Sequence, residues 1–399
     1  MYGCGNIGRG FIGALFSGSG YVVTFIEVVD SLVDSIRLRG SYPLRFVSEE
    51  GFEDVTVGNV TAVNGKDTAE TADAIARCDI MAVAVGVRNF PLVVPNLVEG
   101  IRRRWALGGS PLNIIICENI NDANAYAERL IKECLSNEEC ALFDSTVGLV
   151  DTSIGRMVPV QTDEMKEGDP LRVCVERYGF LPVDKAAFKG RIPQIKDMVP
   201  YVPFDYFVKR KLFIHNMGHA VTAYLGGLIG ADFISEAIDD PQVRIIVQNA
   251  MLESAQALSR HYGEPLDALV QHITDLLRRF SNSALKDTCA RVGGDPGRKL
   301  SPSDRLAGAS KMAVGEGVFP AYISVGIAAG VKRFLDESGR PQDPDEAISV
   351  LTEVCGFAED DSVPELVMRY YGMIAVGCSI ADLRRAADKA KSARMNDII

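Results

Sequence analysis

The chain has 399 residues, 47% of them apolar and 24% charged, and a net charge of −11 at pH 7. That length suits two domains, and the composition is that of a folded globular protein. The acidic surplus argues against nucleic acid or an anionic membrane as partner, and no apolar run is long enough to span a bilayer. With no basic-then-apolar leader at the N-terminus and nine cysteines lacking any C-x-x-C pair, a reduced, cytoplasmic protein is expected.

In chain order, the first feature is Gly3-Cys4-Gly5-Asn6-Ile7-Gly8, a G-x-G-x-x-G turn opening a helix through Phe11, Ile12, Leu15 and Phe16. Glycines let a backbone turn press on a pyrophosphate, and the helix start directs N–H groups at it. The strand-like run Tyr21–Ile26 ends in Glu27, 19 residues after Gly8. An acidic side chain there binds the ribose hydroxyls and repels a 2′-phosphate, which favours NAD over NADP. A Rossmann sheet places its central first strand directly before the glycine turn. Only Met1 and Tyr2 precede this one, so the first strand is expected to be truncated.

Asp79–Gly86 and Asn113–Cys117 are apolar runs of the kind that form buried parallel strands, with a helical pattern from Leu92 to Trp105 between them. Ligands bind beyond the carboxyl ends of such strands, which places Gly86, Glu118 and Asn119 near a cofactor cleft. Phe143–Val150 and Leu171–Glu176 read as extended, and from Tyr201 onward the pattern is helical. The expected architecture is an α/β Rossmann-type nucleotide-binding domain with a sheet extension over residues 1–200, then an all-α domain over 201–399.

The helical half opens on Lys211-Leu-Phe-Ile-His215-Asn216-Met-Gly-His219. On an α-helix Asn216 stands about 140° and His219 about 80° from Lys211, so all three can line one side of a cleft. A lysine shielded from water loses stability as an ammonium and becomes a general base; an amide and an imidazole can hold the reacting oxygen. On periodicity alone an amphipathic core helix with a satisfied histidine is the stronger reading. His215 and His219 also have the i, i+4 spacing of a zinc pair, but Asn216 replaces the glutamate of H-E-x-x-H and no third ligand stands out. No metal is expected.

Lys211-x4-Asn216-x2-His219 resembles the K-x4-N-x2-H signature of the polyol-specific long-chain dehydrogenases. Gly5–Gly13, Val183-Asp184-Lys185, Phe188-Lys189-Gly190 and Lys211–Gly226 extend the likeness over nearly the whole chain. Asp295–Leu300 with Asp304-Arg305-Leu306 resembles the phosphopolyol branch. The resemblance implies reversible hydride transfer between NAD and a phosphorylated hexitol, mannitol 1-phosphate giving fructose 6-phosphate, in an active site between the domains. It makes Lys211 the base, with Asn216 and His219 beside it. Asp151 and Asp184 then face the substrate, and Arg298, Lys299 and Arg305 hold its phosphate. Gly3, Gly5, Asn6, Ile7, Gly8, Glu27, Gly86, Glu118 and Asn119 are the cofactor residues, and a monomer or weak dimer is expected. Two departures touch the substrate: Gly155 stands where members carry an aspartate before Arg156, and the segment after Asn119 lacks their basic residue and glycine. The rival readings are a dehydrogenase of an unphosphorylated polyol or hexuronate, and a degenerate, non-catalytic nucleotide binder.

Overall fold

The computed structural model describes residues 1–120, 122–159, 161–358 and 361–396. The chain divides into two compact units, Met1–Asp205 and Tyr206–Ile399.

Among the described residues the first unit holds ten strands: β1 (Val23–Glu27), β2 (Tyr42–Ser48), β3 (Gly51–Val57), β4 (Val60–Asn64), β5 (Met81–Val83), β6 (Leu112–Ile116), β7 (Val147–Asp151), β8 (Val173–Val175), β9 (Leu181–Asp184) and β10 (Met198–Tyr201). β4 pairs parallel with β1, and β5, β6 and β7 pair parallel in that order. Tyr2 joins the two groups by parallel bridges to Ile26 and Val83. Residues Met1–Gly3 thus occupy the central slot, in the order β4–β1–(Met1–Gly3)–β5–β6–β7. Ladder bonds tie these residues on both sides: Tyr2 N–H donates to Ala82 O at 2.8 Å, Gly3 N–H to Ile26 O at 2.9 Å and Ala84 N–H to Tyr2 O at 2.9 Å.

Helices cover this sheet, among them Thr68–Arg77 and Phe90–Ala106. The close pairing of those two requires Gly100, where an added Cβ would meet Ile75 Cβ at 2.5 Å. β6 is buried along its whole length, as its Leu-Asn-Ile-Ile-Ile sequence demands of a strand covered on both faces. Its one polar member, Asn113, is satisfied by the backbone of Lys189, its Nδ2 donating to the carbonyl (3.0 Å) and its Oδ1 accepting from the N–H (2.8 Å). That exchange fixes the 185–190 segment beside the sheet. A second sheet, β3–β2–β8, and the parallel pair β9–β10 complete the unit.

One expectation fails here. Phe143–Thr146 is not extended but belongs to the helix Asn137–Thr146, and the strand begins only at Val147. Ser136 and Glu139 form a reciprocal capping box that starts the helix.

In the second unit every regular element among the described residues is helical. Among the described residues no helix is long and apolar enough to cross a membrane.

Candidate active site

The glycine turn has two kinds of glycine. Gly3 has φ +91°, and a Cβ there would lie 2.3 Å from Ala84 O; at Gly8 it would lie 2.0 Å from Gly3 O. These two let the chain cross itself. Gly5 is different: it is exposed, and an added Cβ would meet nothing within 4 Å. The open side of Gly5 is a cradle of the kind a phosphate approaches. Arg9 N–H makes an early intrahelical bond to Gly5 O at 2.9 Å, so the amides of Asn6, Ile7 and Gly8 lie in the helix's first turn, where N–H groups have no intrahelical partner. A helix start of this kind favours an anion, and the geometry fits a dinucleotide pyrophosphate. The helix then widens into a π-turn over Gly8–Gly13. Gly13 lets it press on Phe25 of β1, with a would-be Cβ 2.6 Å from that ring.

Glu27 sits at the end of β1 against this turn. Its Oε2 accepts from Cys4 N–H at 3.1 Å, and its Oε1 accepts from Val28 and Val29 N–H at 2.8 and 3.0 Å. Three backbone donors orient the carboxylate, and acceptor capacity remains on Oε2 for a ligand hydroxyl. Gly86 turns the chain at the end of β5 with φ +87°. Glu118 is buried and accepts from Val85 and Gly86 N–H at 2.8 and 3.1 Å. Burial pushes its carboxyl up, against the pull of those two amides. Glu118 therefore holds the β5 turn in shape, whereas Asn119 beside it is exposed.

Asp151 and Asp184 end β7 and β9, two strands tied by the Thr152–Val183 bridge. Asp151 accepts from Asn124 N–H at 3.0 Å, and Asp184 accepts from Ala186 N–H at 2.9 Å. Burial pushes Asp151 up to about 6; its bond to Asn124 opposes this, and the charges of Asp184 and Asp122 add to it. The paired acids share one electrostatic neighbourhood. Gly155, in the following segment, admits the Tyr178 ring, whose Cε1 would be 2.9 Å from a Cβ.

In the second unit Asp205–Arg210, Lys211–Asn216 and Met217–Ile229 run on as successive helical segments, and the middle one is a π-turn. Met217 N–H bonds back to Leu212 O, five residues earlier. Such a turn stacks residues five apart, so Asn216 follows Lys211 on nearly the same side. The α-helical estimate of about 140° between them is superseded for this segment. Burial and the nearby Arg305 charge push the Lys211 ammonium down to about 8. Asn216 makes no side-chain cap bond to the helix it precedes, which leaves its amide for other work.

His219 stacks on Phe280 at 4.9 Å between ring centroids, and its Nε2 lies 3.1 Å from Asp287 Oδ2. Burial lowers its pKa, partly opposed by Asp287, so the ring is neutral at pH 7 and oriented by a carboxylate. Arg291 Nη2 holds Asp287 from the other side at 2.5 Å. Asp287 lies far along the chain from the lysine segment and no spacing rule reaches it; it is the residue that sequence reasoning missed. His215 is buried behind His219, and burial together with Arg279 holds it well below the usual histidine range. Among the described residues no three His, Cys, Asp or Glu side chains gather as a metal cage.

The basic trio does not behave as one group. Arg298 is half exposed and spends its charge on Asp295 (2.6 Å) and Asp304 (3.3 Å). Lys299 is buried, donates to Gly294 O, and is pushed down to about 8 by burial, Arg305 and Arg298. Arg305 is held through Nε by Asp304 at 2.8 Å, which orients the guanidinium. Of the three, only Arg305 is close enough to depress Lys211.

The sequence matches the model of the mannitol dehydrogenase Rossmann domain over residues 1–197 and that of the mannitol dehydrogenase C-terminal domain over residues 204–368. The chain belongs to the mannitol dehydrogenase family. Among the family's curated members, the mannitol-1-phosphate 5-dehydrogenases of Bacillus licheniformis and Bacillus subtilis are each 34% identical to it, over 376 and 377 residues. Each match covers 92% of this chain and 98% of the relative. Solved structures of similar fold include a substrate-free D-sorbitol dehydrogenase (TM-score 0.80, 14% identity) and Pseudomonas fluorescens mannitol 2-dehydrogenase with NAD and D-mannitol (TM-score 0.68, 15% identity). Both matches cover 97% of this chain and 93% of the other. At those identities the likeness concerns fold alone: a Rossmann-type domain followed by the helical domain of the mannitol dehydrogenases.

Proposed function

We propose that this mannitol dehydrogenase family member interconverts mannitol 1-phosphate and fructose 6-phosphate with NAD, using Lys211 as general base. The observation that carries this reading is Lys211 itself: a lysine on a π-turn, held near pKa 8 beside an oriented arginine. A base poised near the working pH balances the fraction deprotonated against proton affinity. The substrate rests on the two Bacillus relatives and on Arg305, whose guanidinium suits a phosphate.

Residues 1–200 form the nucleotide domain, with the helix start at Asn6–Gly8 holding the pyrophosphate and Glu27 the adenosine ribose. Bound NAD supplies the hydride acceptor. In residues 201–399, neutral Lys211 takes the hydroxyl proton from the carbon being oxidised. The Asn216 amide donates to the alkoxide that develops, while the neutral His219 imidazole, its Nε2 proton facing Asp287, presents Nδ1 as an acceptor for a substrate hydroxyl. Asp151 and Asp184 accept from the other polyol hydroxyls. All nine cysteines are free thiols, in keeping with a cytoplasmic enzyme, and a monomer or weak dimer suffices for this chemistry.

The test is a comparison of kcat/KM for NADH formation from mannitol 1-phosphate and from mannitol. The phosphorylated substrate should be favoured by at least about tenfold, equivalent to about 1.4 kcal/mol. Arg305→Ala should erase most of that preference. Equal use of the two substrates by the unaltered enzyme overturns the phosphopolyol assignment.

A further inference from the structure

The π-turn that carries Lys211 and Asn216 runs into the helix Met217–Ile229, and two other helices press on that helix near its start. Met251 of the helix Pro241–Tyr262 lies against Gly218, where an added Cβ would stand 2.6 Å from its Sδ. Gly326 of the helix Ala321–Ser338 lies against Val221, and an added Cβ there would run into Val221 Cγ2. Met251 and Val221 are fully buried. Gly218 adjoins His219 and follows Asn216 by two residues, so the seats of both side chains depend on where these two helices stand.

The helix Ala321–Ser338 starts without a cap of its own. Its N-cap is Pro320, which has no side-chain acceptor, so its first-turn amides need a partner from elsewhere. Glu253, two residues after Met251, supplies one: Oε2 accepts from Tyr322 N–H at 3.0 Å and from Ile323 N–H at 3.1 Å. Its Oε1 accepts from Lys391 Nζ at 2.8 Å, and the same ammonium donates to Phe319 O at 2.9 Å, just ahead of the helix start. Glu253 is only 2% exposed. Burial raises its pKa to about 7, opposed by Lys391 and the two amides. Burying a carboxylate is costly, and apolar residues of similar size in place of a buried ion pair are often as stabilising or more so. Stability alone does not account for an ion pair here; what it adds is direction.

We propose that Glu253 is a positioning residue for the reaction: it fixes the helix Ala321–Ser338 against the helix Pro241–Tyr262, and through Gly218 and Val221 the two hold Asn216 and His219 in register with Lys211. The proposal rests on the reading of Lys211 as base. A displacement of about 1 Å at a reacting group can cost about 10²-fold in rate, so a small loosening of this brace reaches turnover before it reaches the fold.

Two double variants separate bracing from stability. Glu253→Gln with Lys391→Met removes both charges but leaves an oxygen to accept from Tyr322 and Ile323 N–H. Glu253→Leu with Lys391→Met removes the acceptor too, and strands no charge. The Gln pair should keep kcat for mannitol 1-phosphate within about threefold of wild type, and the Leu pair should lose at least about tenfold. NADH affinity should hold in both, because the nucleotide domain is the other unit. The Lys211 titration, followed by ¹³C NMR of labelled lysine, should stay near 8 in the Gln pair and move upward in the Leu pair as water reaches the ammonium. Glu253→Asp, which keeps the charge but draws the carboxylate back by one methylene, should fall in kcat as the Leu pair does, and it decides the matter if that pair does not fold. A folded Leu pair or Asp variant with wild-type kcat and an unmoved Lys211 titration overturns the proposal. Equal losses in the Gln and Leu pairs overturn it as well. A wild type that oxidises no polyol phosphate refutes the functional reading instead, and the Lys211 titration still tests the brace.

Discussion

Gly5→Ala separates what the glycine turn does for folding from what it does for the nucleotide. At Gly5 a Cβ meets nothing within 4 Å, whereas at Gly8 it would stand 2.0 Å from the Gly3 carbonyl oxygen. The Gly5 methyl therefore costs the folded chain no contact, and it removes backbone freedom from the unfolded state. Such changes stabilise by about 0.4–1 kcal/mol where the backbone permits. The same methyl projects into the space proposed for the pyrophosphate, and overfilling a fitted site costs about 1–3 kcal/mol. NADH dissociation constants should rise by about 5- to 150-fold, read by quenching or energy transfer on NADH titration, with an unchanged or slightly higher thermal midpoint. Gly8→Ala should instead fail to fold, because its clash is with backbone. Normal NADH affinity in a folded Gly5→Ala variant would refute the placement of the phosphates on this turn.

Three further outcomes follow from the geometry. The Glu27 carboxylate, fixed by three backbone donors, should give NAD(H) at least a tenfold advantage over NADP(H) in kcat/KM, about 1.4 kcal/mol; equal use would move Glu27 away from the ribose. Asp287→Asn removes the carboxylate beside His219 Nε2 and should lower kcat by about tenfold to a hundredfold, the worth of a charge-assisted hydrogen bond of about 1.5–3 kcal/mol, with NADH affinity unchanged. Glu253 accepts from Tyr322 and Ile323 N–H and from Lys391 Nζ at 2.8 Å while only 2% exposed. Lys391→Met strands that carboxylate and should destabilise the helical unit by about 3–5 kcal/mol, measured by denaturant unfolding; an unchanged midpoint would show that the pair contributes nothing.

Much of this arrangement was legible from residues alone. The glycine turn, Glu27 at the end of the next strand and the change to helix after Tyr201 all carry local signals with a direct physical cause. The capping box Ser136-x-x-Glu139 was equally local, yet the apolar run after it reads as strand, because a short apolar run has no distinctive period. The π-turn at Lys211 could not be read, since helical-wheel reasoning assumes 3.6 residues per turn. Asp287 and the division of labour among Arg298, Lys299 and Arg305 depend on which acids fold beside them. Asp295 and Asp304 occupy Arg298, and only the fold shows that Arg305 is the cation of the three near Lys211. The place of the first strand, directly before the glycine turn, was legible too: Met1–Gly3 bridge β1 and β5 in the central slot.

The central claim is that Lys211 is the base. It is tested most directly by the pH dependence of kcat/KM for mannitol 1-phosphate oxidation, wild type against Lys211→Ala. An ammonium pushed down to about 8 must lose its proton before it can accept one. Wild-type kcat/KM should therefore climb nearly tenfold per unit below that pH and level off above it. The variant should run about 10²- to 10⁴-fold slower, as expected for loss of a general base, and should lack the inflection near 8. A variant that keeps both the rate and the inflection would contradict the account.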